Sequence, residues 1–416
     1  MSRPAAATDR RYTDCAFDGL IALPRYSRPL NSSTQKIYDA AVIGAGPGGC
    51  SAASGLARKG FSVLILEKAA LPRYKTCGGG LLYRARRLMP GTVAEVIERE
   101  FHSITLNFLD TGLSFTATRA EPIVSMTMRA NLDQALVREA QKLGAELIQS
   151  CLVKNLVPQE RFVEIATGQK TFRARFVIGA DGVHSLTAKA LGWSPLPCLA
   201  PALEWELQLS ANDFAQFGHT ARFDFDPIES GYAWVFPKRD HVSVGILSTS
   251  RTNINLPARL ENYLTAIGLK QILKSEKHGY LIPLAPRREP LARGRVLLIG
   301  DAAGLADPIT AEGISYAWQS GQLAAEAIAG CRLEVAATGA RYQALLEKNI
   351  LRDLRAGRFL ASVLYNHPRI RNRAFRWQGQ RLTDFVAAVV IGERGYADAL
   401  KNPASWLKVF GWGKHS

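Results

Sequence analysis

Apolar and polar positions first settle into a regular pattern at Tyr38. Asp39–Ile43 (DAAVI) is a short apolar run that meets a glycine cluster, Gly44-Ala45-Gly46-Pro47-Gly48-Gly49, as a strand does when it enters a tight turn. The Ala-rich stretch from Cys50 to Lys59 reads as a helix closed by Gly60, and Ser62–Leu66 reads as a second strand ending at Glu67. These pieces make one βαβ unit of about thirty residues. Leu132, Leu136, Ala140 and Leu143 recur at helical spacing within Arg129–Leu143, and Gly144 supplies the stop. A strand at Phe176–Gly179 leads into Ala180-Asp181-Gly182. From about residue 195 to 290 the pattern changes to aromatic and β-branched runs, such as TARFDF and YAWVFP, broken by Gly and Pro; this predicts an antiparallel sheet. A strand returns at Arg295–Ile299, runs into Gly300-Asp301, and is followed by a helix near Gly313–Ala329. The last eighty or so residues are helical in pattern, basic and Trp-containing. There is no internal repeat and no low-complexity tract.

The glycine turn becomes informative through its context, since glycine-rich turns alone are common. A strand precedes it, a helix follows, and an acid closes the second strand. Gly44 permits the turn, Gly46 lets backbone approach a pyrophosphate, and Gly49 lets helix and strand pack closely. The helix N-terminus offers unpaired N–H groups to phosphates. Glu67 stands where a carboxylate accepts the adenosine ribose hydroxyls and repels a 2′-phosphate, so FAD or NAD is expected rather than NADP. The later segment Gly300–Pro308 (GDAAGLADP) decides for FAD, because Asp301 there can accept hydrogen bonds from a sugar-alcohol chain that NAD lacks. The helix opening at Gly313 and Ile314 would aim N–H groups at the flavin and stabilise its anionic reduced form. Asp181 reads either as a further support near the pyrophosphate or as an ordinary Asp-Gly turn. Arg129 reaches a phosphate or the flavin, or is a plain surface arginine.

The expected fold is therefore α/β. It combines a Rossmann-like FAD-binding domain in two pieces (37–190 and 290–332), an antiparallel β substrate domain (191–289) and a helical C-terminal region (333–416). Residues 1–36 lack periodicity and read as a flexible N-terminal extension; Asp9, Asp14 and Asp18 speak against an organelle-targeting peptide.

Composition narrows the class. At 47% apolar and 21% charged, the 416-residue chain is too apolar to be disordered, while its longest apolar run, around Phe385–Ile391, is too short to span a bilayer. The net charge of +16 favours anionic partners, but no nucleic-acid-binding module accompanies it, so no nucleic acid is expected. Six dispersed cysteines without a CxxC pair argue against a zinc site and a disulfide-stapled secreted fold, and no metal is expected. A cytoplasmic protein with peripheral membrane contact is expected. Arg369-Ile370-Arg371-Asn372-Arg373, Arg376-Trp377, Trp406, Trp412 and Lys414 interleave cations with Trp, as a helix in the headgroup plane does, or as a helical cap with a solvated face does.

In order, YDAAVIGAGPGGCSAA, PRYKTCGGGL, MRANLDQAL, ADGVHS, GYAWVFPK and GDAAGLADPITAEGIS make this sequence resemble the geranylgeranyl reductase family, within the p-hydroxybenzoate-hydroxylase-like flavoproteins. The discriminating stretches are Lys75–Gly80 (KTCGGG) and Tyr232–Lys238 (YAWVFPK). The resemblance implies FAD contacts at Gly49, Glu67, Cys77, Gly78, Gly80, Arg129, Asp301, Gly313 and Ile314, a backbone contact to adenine at Val153, and a substrate pocket at Tyr232, Trp234, Phe236 and Lys238. Two departures are visible: Ala311 and Leu247 stand where the family often has Gly.

The implied activity is reduction of C=C bonds in a geranylgeranyl or related polyprenyl group, with a proton added to one carbon and a hydride from flavin N5 to the other. Tyr232, Trp234 and Phe236 alternate along a strand and so share one face, as the wall of an apolar channel or as plain core. Cys77, beside Lys75 and three glycines, is the candidate catalytic residue, since a thiol near a cation tends toward thiolate; small packing residue is the other reading. With one dinucleotide fingerprint, the electron donor is a transient NADPH or a reduced ferredoxin. The competing classes are an FAD-dependent monooxygenase or halogenase, and a non-enzymatic carrier of prenyl lipid.

Overall fold

The computed structural model describes residues 36–217, 219–250, 254–269 and 271–400. The first strand is Ile37–Ile43, the first helix Pro47–Ala57 and the second strand Val63–Leu66, so the predicted βαβ unit is present with its ends shifted by up to three residues. Its parallel sheet runs Val296–Leu298, Thr171–Gly179, Ile37–Ile43, Val63–Leu66, Glu146–Ile148, all parallel neighbours. The sheet lies inside the main hydrophobic core, where VLIL and the end of DAAVI are buried throughout. Strand Ala292–Arg293 pairs antiparallel at one edge, and the hairpin Val153–Pro158/Val163–Thr167 pairs with Thr171–Gly179. The early and late cofactor segments meet through two helices: a Cβ on Gly321 of helix Ile314–Gly330 would lie 2.3 Å from the Gly48 carbonyl oxygen. Small residues let these helices cross closely, and Ser51 Oγ donates to the Trp318 carbonyl at 2.7 Å across the same contact.

The second sheet has seven strands, ordered Ile272–Pro283, Leu199–Leu209, Val242–Ser248, Gly231–Pro237, Ala221–Phe225, Ser103–Phe108, Leu113–Thr118. Five come from the block whose pattern predicted a sheet. The two from residues 103–118 precede it in sequence, and Ala221–Phe225 pairs with Ser103–Phe108 in parallel, so the sheet is not antiparallel throughout. Alternation divides its faces: Ala233 and Val235 pack with Leu260, Tyr263 and Leu264 of helix Leu256–Ala266, while Tyr232, Trp234 and Phe236 point the other way. A small third sheet holds Gly80–Leu82, Val124–Thr127 and Ile97–Phe101.

Helices Val335–Leu346, Arg352–Asn366, Pro368–Ile391 and Tyr396–Leu400 follow. Pro368–Ile391 kinks at Gln378 and crosses Leu113–Thr118 so closely that a Cβ on Gly379 would overlap the Phe115 ring at 2.1 Å. Within it Trp377 and Ile370 are exposed, but Arg371 is turned inward to pair with Asp226. Trp406, Trp412 and Lys414 lie outside the described residues. None of the helices among the described residues is long and apolar enough to cross a membrane.

Candidate functional site

Gly44 has φ +105°, and a Cβ there would sit 2.4 Å from the Ala180 carbonyl oxygen; a Cβ on Gly49 would sit 2.0 Å from the Gly44 carbonyl oxygen. Both glycines are demanded by the turn itself. Gly46 differs: the nearest atom to a Cβ there is Arg129 Nη2 at 3.9 Å, so the space over it is open. Behind it the N–H groups of Gly48 and Gly49, at the start of helix Pro47–Ala57, have no backbone acceptor among the described residues. The turn is a cradle for an anion.

Glu67 is buried at the far end of the second strand, where it accepts from Ala45 N at 2.8 Å, Ala69 N at 3.0 Å and Arg73 Nε at 3.3 Å. Two carboxylate oxygens hold more lone pairs than these three bonds use, which leaves acceptor capacity toward the cavity. Arg73 also pairs with Asp133 at 3.0 Å, and Asp133 takes Arg129 in a bidentate grip at 2.9 Å for both Nε and Nη2. Burial works against charge on Arg129, but Asp133 and Cys77 outweigh it and hold the guanidinium above its usual range. Arg73 and Asp133 escaped the sequence reading, although Asp133 lies one helical turn beyond Arg129. Val153 is buried and lines the same end of the cavity. Asp181 lines it too, but its carboxylate is occupied: Oδ1 takes the Ser185 hydroxyl at 2.5 Å, and Oδ2 takes the Thr187 N–H and hydroxyl at 2.8 and 2.9 Å. Its observed bonds fix the turn into helix Leu186–Ala190.

Asp301 faces the cavity with no hydrogen bond to its carboxylate among the described residues, and a Cβ on Gly313 would come within 3.2 Å of its Oδ1. The N–H groups of Gly313 and Ile314 open helix Ile314–Gly330 without a backbone acceptor among the described residues. The loop between is rigidly held. Asp307 Oδ1 accepts from Ile309 N, Thr310 N and the Tyr396 hydroxyl at 2.9–3.0 Å, and Arg84 pairs with Asp307 and Glu312 at 3.3 and 3.0 Å. Ala311 sits in that loop at φ +56°.

The KTCGGG and YAWVFP stretches meet. A Cβ on Gly78 would lie 3.0 Å from Phe236 and 3.2 Å from Trp234 Nε1, and one on Gly80 3.5 Å from Phe236. Cys77 lines the cavity here. Lys75 places its ammonium 4.1 Å from the Tyr280 ring centre, where burial first and Arg129 second push its pKa down. Gly79, at φ +74°, accepts from Thr127 N at 3.0 Å. Lys238 departs from the expected pocket. It is buried behind the loop, donating to Glu206 Oε1 at 2.7 Å and approaching Met128 Sδ at 3.2 Å, because an ammonium with no water needs a carboxylate more than it needs a ligand. Leu247, standing where the family often has Gly, is buried beside Tyr232 and lines the cavity.

All other expected residues border a single cavity of about 590 Å³, save Gly49, which packs against the Gly44 carbonyl instead. From Glu67 and Gly46 it runs past Asp301 and Gly313 to Cys77, then along Trp234 and Tyr232 to an apolar end under Tyr365, Phe375 and Val390. A dinucleotide fits the polar stretch: an open glycine cradle, free helix N–H groups, an acid at either end. Residues 37–346 match the FAD binding domain family. Over 314 residues the chain is 31% identical to the geranylgeranyl diphosphate reductase of Synechocystis sp., covering 69% of this chain and 74% of that protein. The chain belongs to the geranylgeranyl reductase family. It is an FAD-dependent reductase. A second member, the digeranylgeranylglycerophospholipid reductase of Methanosphaerula palustris, is 30% identical over 71% of this chain and 77% of its own length. The fold also matches a crystal structure of a geranylgeranyl bacteriochlorophyll reductase-like protein from Thermoplasma acidophilum, with a TM-score of 0.68 and 20% identity over 90% of this chain and 100% of that one.

Proposed function

We propose that this member of the family saturates C=C bonds of a geranylgeranyl or related polyprenyl group carried by a chlorophyll-type pigment, a diphosphate or a prenyl lipid. The observation that carries the reading is the continuity of the cavity from the flavin end into an aromatic and aliphatic end. Its walls there are Phe225, Tyr232, Trp234, Leu247, Phe375 and Val390. Such a lining selects a long apolar chain and excludes the water that would compete for a reactive carbon. The names of its relatives support the same substrate class.

Bound and reduced FAD supplies a hydride. The chain's own residues do the rest: Gly46, Glu67, Arg129, Asp301, Gly313 and Ile314 bind and orient the cofactor, and Tyr232, Trp234 and Phe236 align the prenyl chain. Cys77, in the loop that packs on those aromatics, shapes the point where the two meet. In this division residues 37–190 and 290–332 serve the cofactor, 191–289 serve the substrate together with strands 103–118 that complete their sheet, and the helices after 333 roof the apolar end. Electrons arrive from NADPH or a reduced ferredoxin in transient contact; the charge of +16 suits an acidic protein donor. The exposed Trp377 and Ile370, among arginines, supply a peripheral contact with anionic lipid.

The test is mass spectrometry of products after chemically reduced holoprotein meets geranylgeranyl diphosphate, a geranylgeranylated pigment and a prenyl ether lipid. Products heavier by two hydrogens per bond support the reading; unchanged substrates in every case overturn it.

A further inference from the structure

Strand Leu199–Leu209 carries two carboxylates on one face, Glu204 and Glu206, and both are buried. A glutamate pair on alternate strand positions ordinarily faces water, yet here Glu204 forms part of the cavity wall, next to Trp234 and Tyr280. Glu204 Oε1 accepts the Ser243 hydroxyl at 2.8 Å, and Ser243 Oγ lies 3.5 Å from the Trp234 indole N–H. Glu206 is held differently: Lys238 Nζ stands 2.7 Å from its Oε1 and His241 Nε2 3.2 Å from its Oε2. His241 in turn contacts Asp240 at 2.7 Å, and Asp240 is largely in solvent. Glu204 and Glu206 stand two positions apart on one face of the strand, so the carboxyl at the cavity wall has beside it a charge that Lys238 and His241 hold in place.

We propose that Glu204 is the general acid that protonates the substrate double bond, with Glu206 as the fixed charge beside it. This rests on the polyprenyl-reductase reading above. Ser243 occupies Oε1 as a donor, which leaves Oε2 to carry the proton. The Glu204 O–H bond breaks as a C–H bond forms on one alkene carbon, while the neighbouring carbon takes the hydride and electron pair already assigned to reduced FAD. The alkene is reduced, the cofactor is oxidised, and the glutamate left as carboxylate regains its proton from water once the product has left.

The electrostatics support this division of labour. Burial first, and the charge of Glu206 second, raise Glu204 to about 8, so it holds its proton at neutral pH. Burial also opposes the charge of Glu206, but His241 and Lys238 overcome it and bring Glu206 down to about 2. Burial works against the His241 imidazolium, and Glu206 and Asp240 outweigh it. Two carboxyls driven apart in this way divide into a proton donor and a fixed charge. The groups facing Glu204 from other elements are Ser243 and Lys238, His278 and Tyr280 on the neighbouring strand, and Tyr74, whose ring stacks on His278 at 4.1 Å. Lys238 is the cation that acts on Glu204, and Glu206 neutralises it.

The experiment compares wild type with Glu204→Gln and Glu204→Asp. Infrared spectroscopy of the cofactor-free proteins at neutral pH reads a carboxylic-acid C=O band, expected in wild type and lost in Glu204→Gln. Product formation by chemically reduced holoprotein should fall about 10²-fold or more in Glu204→Gln, with partial recovery in Glu204→Asp and unchanged FAD absorbance. The alkaline limb of the wild-type rate near pH 8 should vanish with the glutamate. A Glu204→Gln protein as fast as wild type, or a wild type lacking the band, overturns the assignment. Wild type that reduces no prenyl compound overturns the polyprenyl reading instead, and the infrared band still decides the protonation of Glu204.

Discussion

Gly245 gives the Trp234 indole its seat. The two residues face each other across paired strands, and a Cβ on Gly245 would fall 2.2 Å from Trp234 Cζ2. The absence of a side chain on one strand thus sets the position of the aromatic wall on the next. Gly245→Ala must push the indole into the cavity or force the strands apart. Overpacking of this kind costs about 1–3 kcal/mol, so the melting temperature should drop measurably. The displaced ring should also raise KM for a prenyl substrate while FAD absorbance persists.

Glycines of the first turn separate fold from ligand. The Cβ of Gly49→Ala would meet backbone at 2.0 Å, so this variant should lose folded protein. Gly46→Ala has open space, with nothing nearer than 3.9 Å. Its apoprotein should melt like wild type in calorimetry yet bind FAD at least about tenfold more weakly, since backbone can no longer approach the pyrophosphate. Equal FAD affinity for Gly46→Ala and wild type would remove the pyrophosphate from this turn.

Cys77 sits where the glycine loop packs on Trp234 and Phe236. Cys77→Ala removes one heavy atom from a partly exposed position, so stability should change by less than about 1 kcal/mol. Turnover should nevertheless fall about tenfold or more, with FAD still bound, because small displacements at a reacting centre are costly. Steady-state kinetics beside the flavin spectrum checks both halves.

The βαβ unit was legible because each signal agreed with the next: an apolar strand, a turn demanding glycine at Gly44 and Gly49, and an acid at Glu67. Asp301 and Gly313 were legible through the second glycine-rich segment. Strands 103–118 were not, since SITLNF and LSFTAT mix polar and apolar residues too evenly to announce a buried face, and their partner lies over a hundred residues away. Glu204 and Glu206 were hidden for a related reason. In the run LEWEL an alternating acid reads as solvated strand, and the loop around Tyr74 and Lys75, folded over the sheet, helps turn that face inward. Lys238 was misplaced by the same omission, because its buried partner Glu206 was not foreseen.

Ala311 occupies the left-handed region, at φ +56°, in the loop that Asp307 pins beside the flavin end. A Cβ there costs about 1–2 kcal/mol, partly offset by the greater freedom a glycine has when unfolded. Ala311→Gly should therefore stabilise the protein by about 0.5–1 kcal/mol in denaturant titration. A destabilised variant would show that the methyl packs well enough to outweigh its backbone strain.

The buried carboxylates also leave a signature in stability against pH. Glu206 folds with its pKa near 2 against an ordinary 4.5, so the stability it contributes is fully present above 4.5 and fades as pH falls toward 2. Glu204 has the opposite sign. Its folded value is about 8, so between pH 4.5 and 8 the unfolded chain has released a proton that the folded chain keeps, and stability declines as pH rises through that window. Glu204→Gln abolishes only this second dependence. The unfolding free energy of the variant relative to wild type should then grow from pH 4.5 to 8 and level off above, by a few kcal/mol at most. Urea melts of the two cofactor-free proteins across that range measure it; parallel curves would mean that Glu204 ionises as an ordinary surface glutamate does, and no neutral acid would wait at the cavity wall.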